Sequence, residues 1–284
     1  MAPRTKKNLA WKIILIVTLS AVAVMLGFVV YEWVLELRAK YARYAAFGID
    51  IPTNYSIHGI DVSRYQQVID WDNVKQMRVE NVKIDFAFIK ATEGVNNVDP
   101  YFHRNWKNAK DAGVPRGAYH FFIATRSGKS QAENFIKKVE VETGDLPPVL
   151  DVEETYGVSP LKVRQRVLEF LQTVEEYYKV KPILYTNVDF YQYYLKDQFD
   201  QYPLWVAHYL QKDGPRIYRD WAFWQHNEGG RVNGIASYVD FNVFNGLQSS
   251  YVGAKGDPVG YTGKAFKGLL TTFLKALFLT SADP

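Results

Sequence analysis

Four acidic residues in this sequence fall where an ionised side chain is costly. Asp61, Asp151, Glu153 and Asp240 sit inside, or at the C-terminal end of, the otherwise apolar runs GIDVS, PVLDVE and YVDFNVF. A carboxylate in such a run must find partners or give up its charge. Asp151 and Glu153 are two residues apart, so in a strand they point to one side with backbones roughly 6.5–7 Å apart. When two carboxyl groups crowd into a partly desolvated site, one is pushed towards its protonated form while the other stays ionised. An acid beside a carboxylate is the pair that glycosidic bond hydrolysis requires. An Asp-x-Glu spacing alone carries little, but behind Pro147-Pro148-Val149-Leu150 it marks a buried strand end. Asp61 and Asp240 also fit a plainer role as caps of a turn or helix. Glu154 should point away from Glu153, towards the surface.

These acids need elements to position them. The apolar runs are IHGIDVS (57–63), FAFIKAT (86–92), RGAYHFF (116–122), PVLDVE (148–153), PILYT (182–186), PLWVAHY (203–209), WAFWQH (221–226) and YVDFNVF (238–244). Helix-like stretches separate several of them, at Trp71–Met77, Tyr101–Ala112, Ser130–Val141, Pro160–Tyr178 and Phe190–Gln198. Strands alternating with helices imply βα units, parallel pairing and strands buried on both faces. The expectation is an α/β fold: an irregular, TIM-like (β/α) barrel of about eight strands, with reduced helices in the last third where the spacers are short. In such a barrel, acids from separate strands converge at the C-terminal mouth. An open doubly wound sheet is the competing architecture, but no Gly-x-Gly-x-x-Gly or Gly-x-x-x-x-Gly-Lys follows a strand to line its phosphate crevice.

Near the same strand ends lie Tyr65, Tyr119, Phe121, Tyr185, Trp205, Tyr209 and Trp224, flat apolar faces with polar edges that suit pyranose rings. Lys90 and Gln225 are polar side chains in apolar runs and need hydrogen-bonding partners. His58, His120, His208 and His226 are conceivable metal ligands, yet no His-x-His or His-Glu-x-x-His spacing occurs, and no metal is expected.

The chain has 284 residues, 48% of them hydrophobic and 15% aromatic, which excludes a disordered polymer. It has no cysteine, so disulfide scaffolds and thiol chemistry are ruled out. With 34 basic and 30 acidic residues the net charge is only +4, and nucleic acid is not an expected partner. From Ile13 to Val30 the sequence IILIVTLSAVAVMLGFVV carries no charge and matches a hydrocarbon core in length. A buried core helix would keep a polar face, and a cleavable signal peptide would place its small-x-small site after the apolar run, whereas Ala21 and Ala23 lie within it. An uncleaved anchor, residues 13–31, is expected, with membrane lipid as its partner. Arg4, Lys6, Lys7 and Lys12 precede it, while Arg38, Lys40 and Arg43 follow diluted by Glu32 and Glu36, which favours a cytoplasmic segment 1–12. The remaining divisions are a linker over 32–56, the barrel over 57–248 and an extension over 249–284 whose Leu and Phe residues follow helical spacing and suit either a membrane surface or the domain itself.

Taken in order, GIDVSRYQ (59–66), FAFIKATEG (86–94), DPYFHRNWKNAKDAGVPRGAYHFF (99–122), QAENF (131–135), PPVLDVEE (147–154), ILYTN (183–187), LWVAHY (204–209), FWQH (223–226) and VDFN (239–242) resemble the family 25 glycoside hydrolases, the Chalaropsis-type muramidases. The likeness spans about residues 57–246. It implies cleavage of the β-1,4 bond between N-acetylmuramic acid and N-acetylglucosamine in peptidoglycan, with no cofactor. On the matching positions it implies Glu153 as general acid, Asp151 orienting and stabilising the reacting centre, and Asp61 and Asp240 completing an acidic mouth. Lys90, Glu93, Tyr119, Tyr185, Trp205 and Gln225 would line the saccharide groove. Two other readings stand beside it: a tethered glycan-binding module without turnover, and a metal-dependent hydrolase on the same barrel. No protein partner is implied.

Overall fold

The computed structural model describes residues 4–39, 41–211 and 214–245. The chain divides into two units, Met1–Arg43 with Asp50–Asn54, and Tyr44–Ile49 with Tyr55–Pro284. The first unit contains one long helix, α1 (Arg4–Ala39). Its stretch Trp11–Val34 is long and apolar enough to cross a membrane, and none of it is buried. The helix contains the whole of the expected span. The expected amphipathic extension, 249–284, lies outside the described residues.

The second unit is a closed eight-stranded barrel. Its strands are β1 (His58–Val62), β2 (Phe86–Glu93), β3 (Arg116–Phe121), β4 (Val149–Asp151), β5 (Ile183–Asn187), β6 (Leu204–Ala207), β7 (Phe223–Gly230) and β8 (Val239–Phe244). Each pairs with the next, and β1 closes the ring by pairing with both β2 and β8. The helices are α2 (Trp71–Gln76), α3 (Phe102–Asp111), α4 (Gly128–Ile136), α5 (Pro160–Tyr178) and a short α6 (Val188–Phe190) continued by a π-turn at Tyr191–Leu195. Local chemistry sets their starts: Asp70 accepts from the Asn73 amide to cap α2, Ser127 accepts from the Ser130 amide to cap α4, and Pro160 opens α5. Among the described residues no helix follows β6, in keeping with the short spacers there.

One expectation fails. Sequence alternation implies parallel pairing in a barrel that turns irregular at its last strands, and β1 to β7 pair in parallel, but β8 runs antiparallel to both β7 and β1. The cause is the connection, since residues 231–238 are too few for a crossover and allow only a hairpin-like return. Asp240 lies inside its run, near the start of β8, and because β8 is inverted that start reaches the same rim as the other acids.

Inside the barrel, Phe86, Phe88, Val149, Ile183, Trp205, Phe223 and Phe244 form the apolar plug beneath this rim. Phe88 stacks on Trp205 with centroids 4.4 Å apart. Room for two phenylalanines from one strand comes from its neighbours: a Cβ on Gly59 would meet the Phe86 ring at 2.3 Å, and one on Gly117 the Phe88 ring at 2.5 Å. The outward faces carry Ile60, Ala118 and His120, with His120 lying 4.9 Å from the Phe170 ring of α5.

Candidate active site

A cavity of about 250 Å³ opens over the plug, lined by Asp61, Ser63, Tyr65, Lys90, Tyr119, Phe121, Asp151, Glu153, Tyr185, Trp205, Tyr209, Gln225, Glu228 and Asp240. The four acids singled out by their positions in apolar runs therefore meet in one cleft. Asp151 ends β4, and the chain around it is clamped from both sides: its carbonyl accepts from the Phe122 amide at 2.9 Å, and the Val152 amide donates to the Tyr185 carbonyl at 2.9 Å. Glu153, just past the strand, shares the Asp151 side, as the period of two requires.

Both carboxyls titrate above their ordinary range. Burial pushes Asp151 well up, and the neighbouring Glu153 adds to it; the Asp151 Oδ1 is buried without a hydrogen-bonding partner. Burial also raises Glu153, against a hydrogen bond from Tyr185 that lowers it. Glu153 remains partly open to the cleft, whereas Asp151 is buried. A pair so placed gives up its last proton later than free carboxyls do, and the more accessible member can deliver it.

On the opposite wall Asp61 and Asp240 face each other in register across β1 and β8. Asp61 Oδ2 accepts from Asn242 Nδ2 at 2.7 Å and Gln225 Nε2 at 2.9 Å. Gln225 Oε1 accepts in turn from the hydroxyls of Tyr209 at 2.6 Å and Tyr185 at 2.9 Å. Lys90 pairs with Glu93 at 2.6 Å and lies 4.5 Å over the Phe121 ring. Its charge acts on both Asp151 and Glu153, lowering each.

The profile of glycosyl hydrolases family 25 matches residues 60–235. This chain belongs to glycosyl hydrolases family 25. An uncharacterized protein of Escherichia coli K12, YegX, is 47% identical over 222 residues, covering 77% of this chain and 82% of that one. Lysozyme M1 of Streptomyces globisporus is 35% identical over 205 residues, 67% of this chain and 68% of its own. A family 25 glycosyl hydrolase from Bacillus anthracis superposes with a TM-score of 0.62 at 37% identity, over 70% of this chain and 93% of its own. The protein is thus a glycoside hydrolase, and the family 25 match spans Asp61, Asp151 and Glu153 while ending short of Asp240.

Within this family 25 cleft, Lys90, Tyr119, Tyr185, Trp205 and Gln225 all reach the lining, as do Tyr65, Phe121 and Tyr209. Glu93 stands behind Lys90 and outside the lining. Trp224 does not reach the cleft; one residue from Gln225, it points outward, where its indole donates to the His208 carbonyl at 2.9 Å and its ring meets Trp221 and Tyr55. Glu154 is exposed. His120 sits behind the wall, within 2.7 Å of Thr92 Oγ1 and 3.3 Å of Gln131 Oε1. Among the described residues no group of three or more His, Asp or Glu is arranged to hold a metal ion.

Two lining residues escaped the sequence reading. Ser63 had a usable signal, since it follows Asp61 by two and shares its side. Glu228 had none: strict alternation from Gln225 would aim Asn227 inward, but register shifts between β7 and β8 on either side of Asn227 rephase the strand. A similar shift after Lys90 sends Thr92 outward although the two share parity.

Proposed function

We infer that the protein is a peptidoglycan hydrolase, an N-acetylmuramidase that cleaves the β-1,4 bond between N-acetylmuramic acid and N-acetylglucosamine. The observation that carries this reading is the pairing of Asp151 and Glu153 in one cleft with both carboxyls raised by burial. Membership of family 25 and a relative named lysozyme support the substrate class. Glu153 acts as the general acid: its proton passes to the glycosidic oxygen as the bond from the anomeric carbon breaks, and the leaving sugar departs as a neutral alcohol. Water supplies the hydroxyl that finally joins the anomeric carbon, and the proton released returns to Glu153.

Asp151 orients the reacting sugar. It lines the cleft, and its carboxylate is an acceptor of the right kind for the N–H of a 2-acetamido group. Accepting that bond favours ionised Asp151 and leaves the proton of the pair on Glu153. Asp61 and Asp240 complete the acidic mouth, and Lys90, Tyr119, Tyr185, Trp205 and Gln225 bind saccharide, with Glu93 holding Lys90 in place.

The test is release of new reducing ends from purified peptidoglycan, with and without chelator. Turnover that survives chelator and drops by on the order of 10²–10⁴ in Glu153→Gln agrees with the proposal. Loss of wild-type turnover on chelation, or parental rates in Glu153→Gln, defeats it.

The apolar helix supports a further element of the reading: α1 anchors the enzyme in the cytoplasmic membrane through residues 13–31, with residues 1–12 inside, a linker following, and the barrel (57–248) on the outer or periplasmic side where the wall lies. Protease added to intact spheroplasts should digest the barrel. A barrel protected until lysis would reverse the topology.

A further inference from the structure

Asp61 and Asp240 look equivalent in the sequence, and burial raises both, yet hydrogen bonds draw Asp61 back down while the charge of Asp61 pushes Asp240 further up. Asp61 Oδ2 faces two carboxamides, Asn242 Nδ2 at 2.7 Å and Gln225 Nε2 at 2.9 Å, and the Asp61 carboxyl also hydrogen-bonds with Asp240. A carboxamide can in general present its oxygen instead of its nitrogen, so the question is what fixes these two. Asn242 is fully buried and its Oδ1 accepts from the Trp205 indole N–H at 2.8 Å. The indole is a donor with no capacity to accept, so Asn242 can only offer its NH₂ to Asp61. Gln225 Oε1 lies 2.6 Å from the Tyr209 hydroxyl and 2.9 Å from that of Tyr185, which also reaches Glu153; because hydroxyls accept as well as donate, Asn242 is the amide whose orientation is fixed. Asp61 Oδ2 therefore receives one N–H donor that cannot turn away, from Asn242, and a second from Gln225, and both favour its ionised form.

We propose that Asn242 and Gln225 are positioning residues that keep Asp61 an ionised acceptor, so that Asp240 works at the cleft wall as a neutral acid donating to Asp61 rather than as a second carboxylate. The environment of Asp240 agrees. Burial raises its pKa to about 9, helped by the charge of Asp61 on β1, of Glu228 on β7 and of Glu153 beyond β4. No cation on the neighbouring strands opposes these: Lys90 lies with Glu93 on β2. The inverted β8 makes the arrangement possible, because it sets Asp240 directly opposite Asp61 and Asn242 opposite Gly59.

This inference rests on the muramidase reading for its kinetic consequence but not for its direct test. In the full-length chain in detergent, with aspartate labelled at Cγ by carbon-13, the carboxyl signals assigned with Asp61→Asn and Asp240→Asn are followed through a pH titration. The expected result is that Asp61 ionises in the acid range while Asp240 stays protonated past neutrality, and that Asn242→Leu spreads both steps over both signals. Ionisation of both groups below about pH 5, the ordinary carboxylate range, overturns the proposal whether or not the enzyme turns over. In kcat/KM on peptidoglycan, Asp240→Asn, which keeps a neutral donor, should lose about tenfold or less, against losses on the order of 10² for Asp61→Asn and Asp240→Ala. Equal losses in Asp61→Asn and Asp240→Asn, at unchanged urea midpoints, also overturn it. A wild-type chain without turnover sinks the muramidase reading and leaves the titration to decide this one.

Discussion

The Lys90 ammonium lies 2.6 Å from the Glu93 carboxylate and is only 12% exposed, so the one cation of the cleft lining among the described residues is itself held by an acid from the same strand. Lys90 draws down both Asp151 and Glu153, while Glu93 pushes Asp151 up. Removing the cation in Lys90→Met should raise both carboxyls. The acid that must be protonated and the carboxylate that must be ionised then both titrate later, so the bell-shaped kcat/KM profile moves to higher pH, by about one unit for a neighbouring charge. Glu93→Gln should move it the other way. Profiles that lose height without moving would show that Lys90 acts by contact alone.

Glu153 and Glu154 are adjacent in sequence, yet one lines the cleft and the other is exposed. Glu153→Gln should cost on the order of 10²–10⁴ in rate, whereas Glu154→Gln should stay within a few-fold, its charge being only a minor influence on Glu153. Muropeptide release measured for the two variants side by side checks this. Similar losses would move the acid role away from Glu153.

What the sequence disclosed about this cleft follows from periodicity. Asp151 with Glu153, and Asp61 with Ser63, share sides because strands alternate, and the order of strands and helices points to parallel βα units, which a barrel and an open sheet share. Hidden from that rule was anything that breaks period two. The shift after Lys90 and those around Asn227 depend on how neighbouring strands pair, which no local pattern encodes. The inversion of β8 was readable only as a spacer too short for a helix, and it is what carries Asp240 to the rim. Trp224 shows the converse: an aromatic at a strand end looks alike whichever way it points, and one residue of phase separates it from Gln225.

Three buried histidines and the raised acids should shape stability against pH in opposite senses. Burial lowers His58 to about 4 and His120 and His226 to about 3. Unfolded histidine titrates near 6.5, so the unfolded chain takes up protons first, and this contribution is full above about pH 6.5 and lost as pH falls towards 3–4. Asp240, raised to about 9, has the reverse sign: its contribution is full below the ordinary carboxylate range and lost as pH rises through 9. Urea midpoints should therefore decline on both sides of a maximum. Asp240→Asn should flatten the alkaline decline and leave the acid side unchanged; an unaltered alkaline branch would mean that Asp240 is not held as an acid in the folded chain.

Gly59 tests how tightly the plug is coupled to the rim. A methyl group there would lie 2.3 Å from the Phe86 ring, so Gly59→Ala must displace the ring or β1. Overpacking of this kind costs about 1–3 kcal/mol. Displacing β1 also moves Asp61, two residues along, relative to Asn242, which faces Gly59 in the pairing of β1 with β8. The variant should lower the urea midpoint and the rate together. Adding Phe86→Leu, which trims the obstructing ring, should restore part of both, because the clash and not the lost flexibility of glycine is the cause. A double variant less stable than the sum of the two single changes would show that the backbone at Gly59, rather than the space beside it, rejects a side chain.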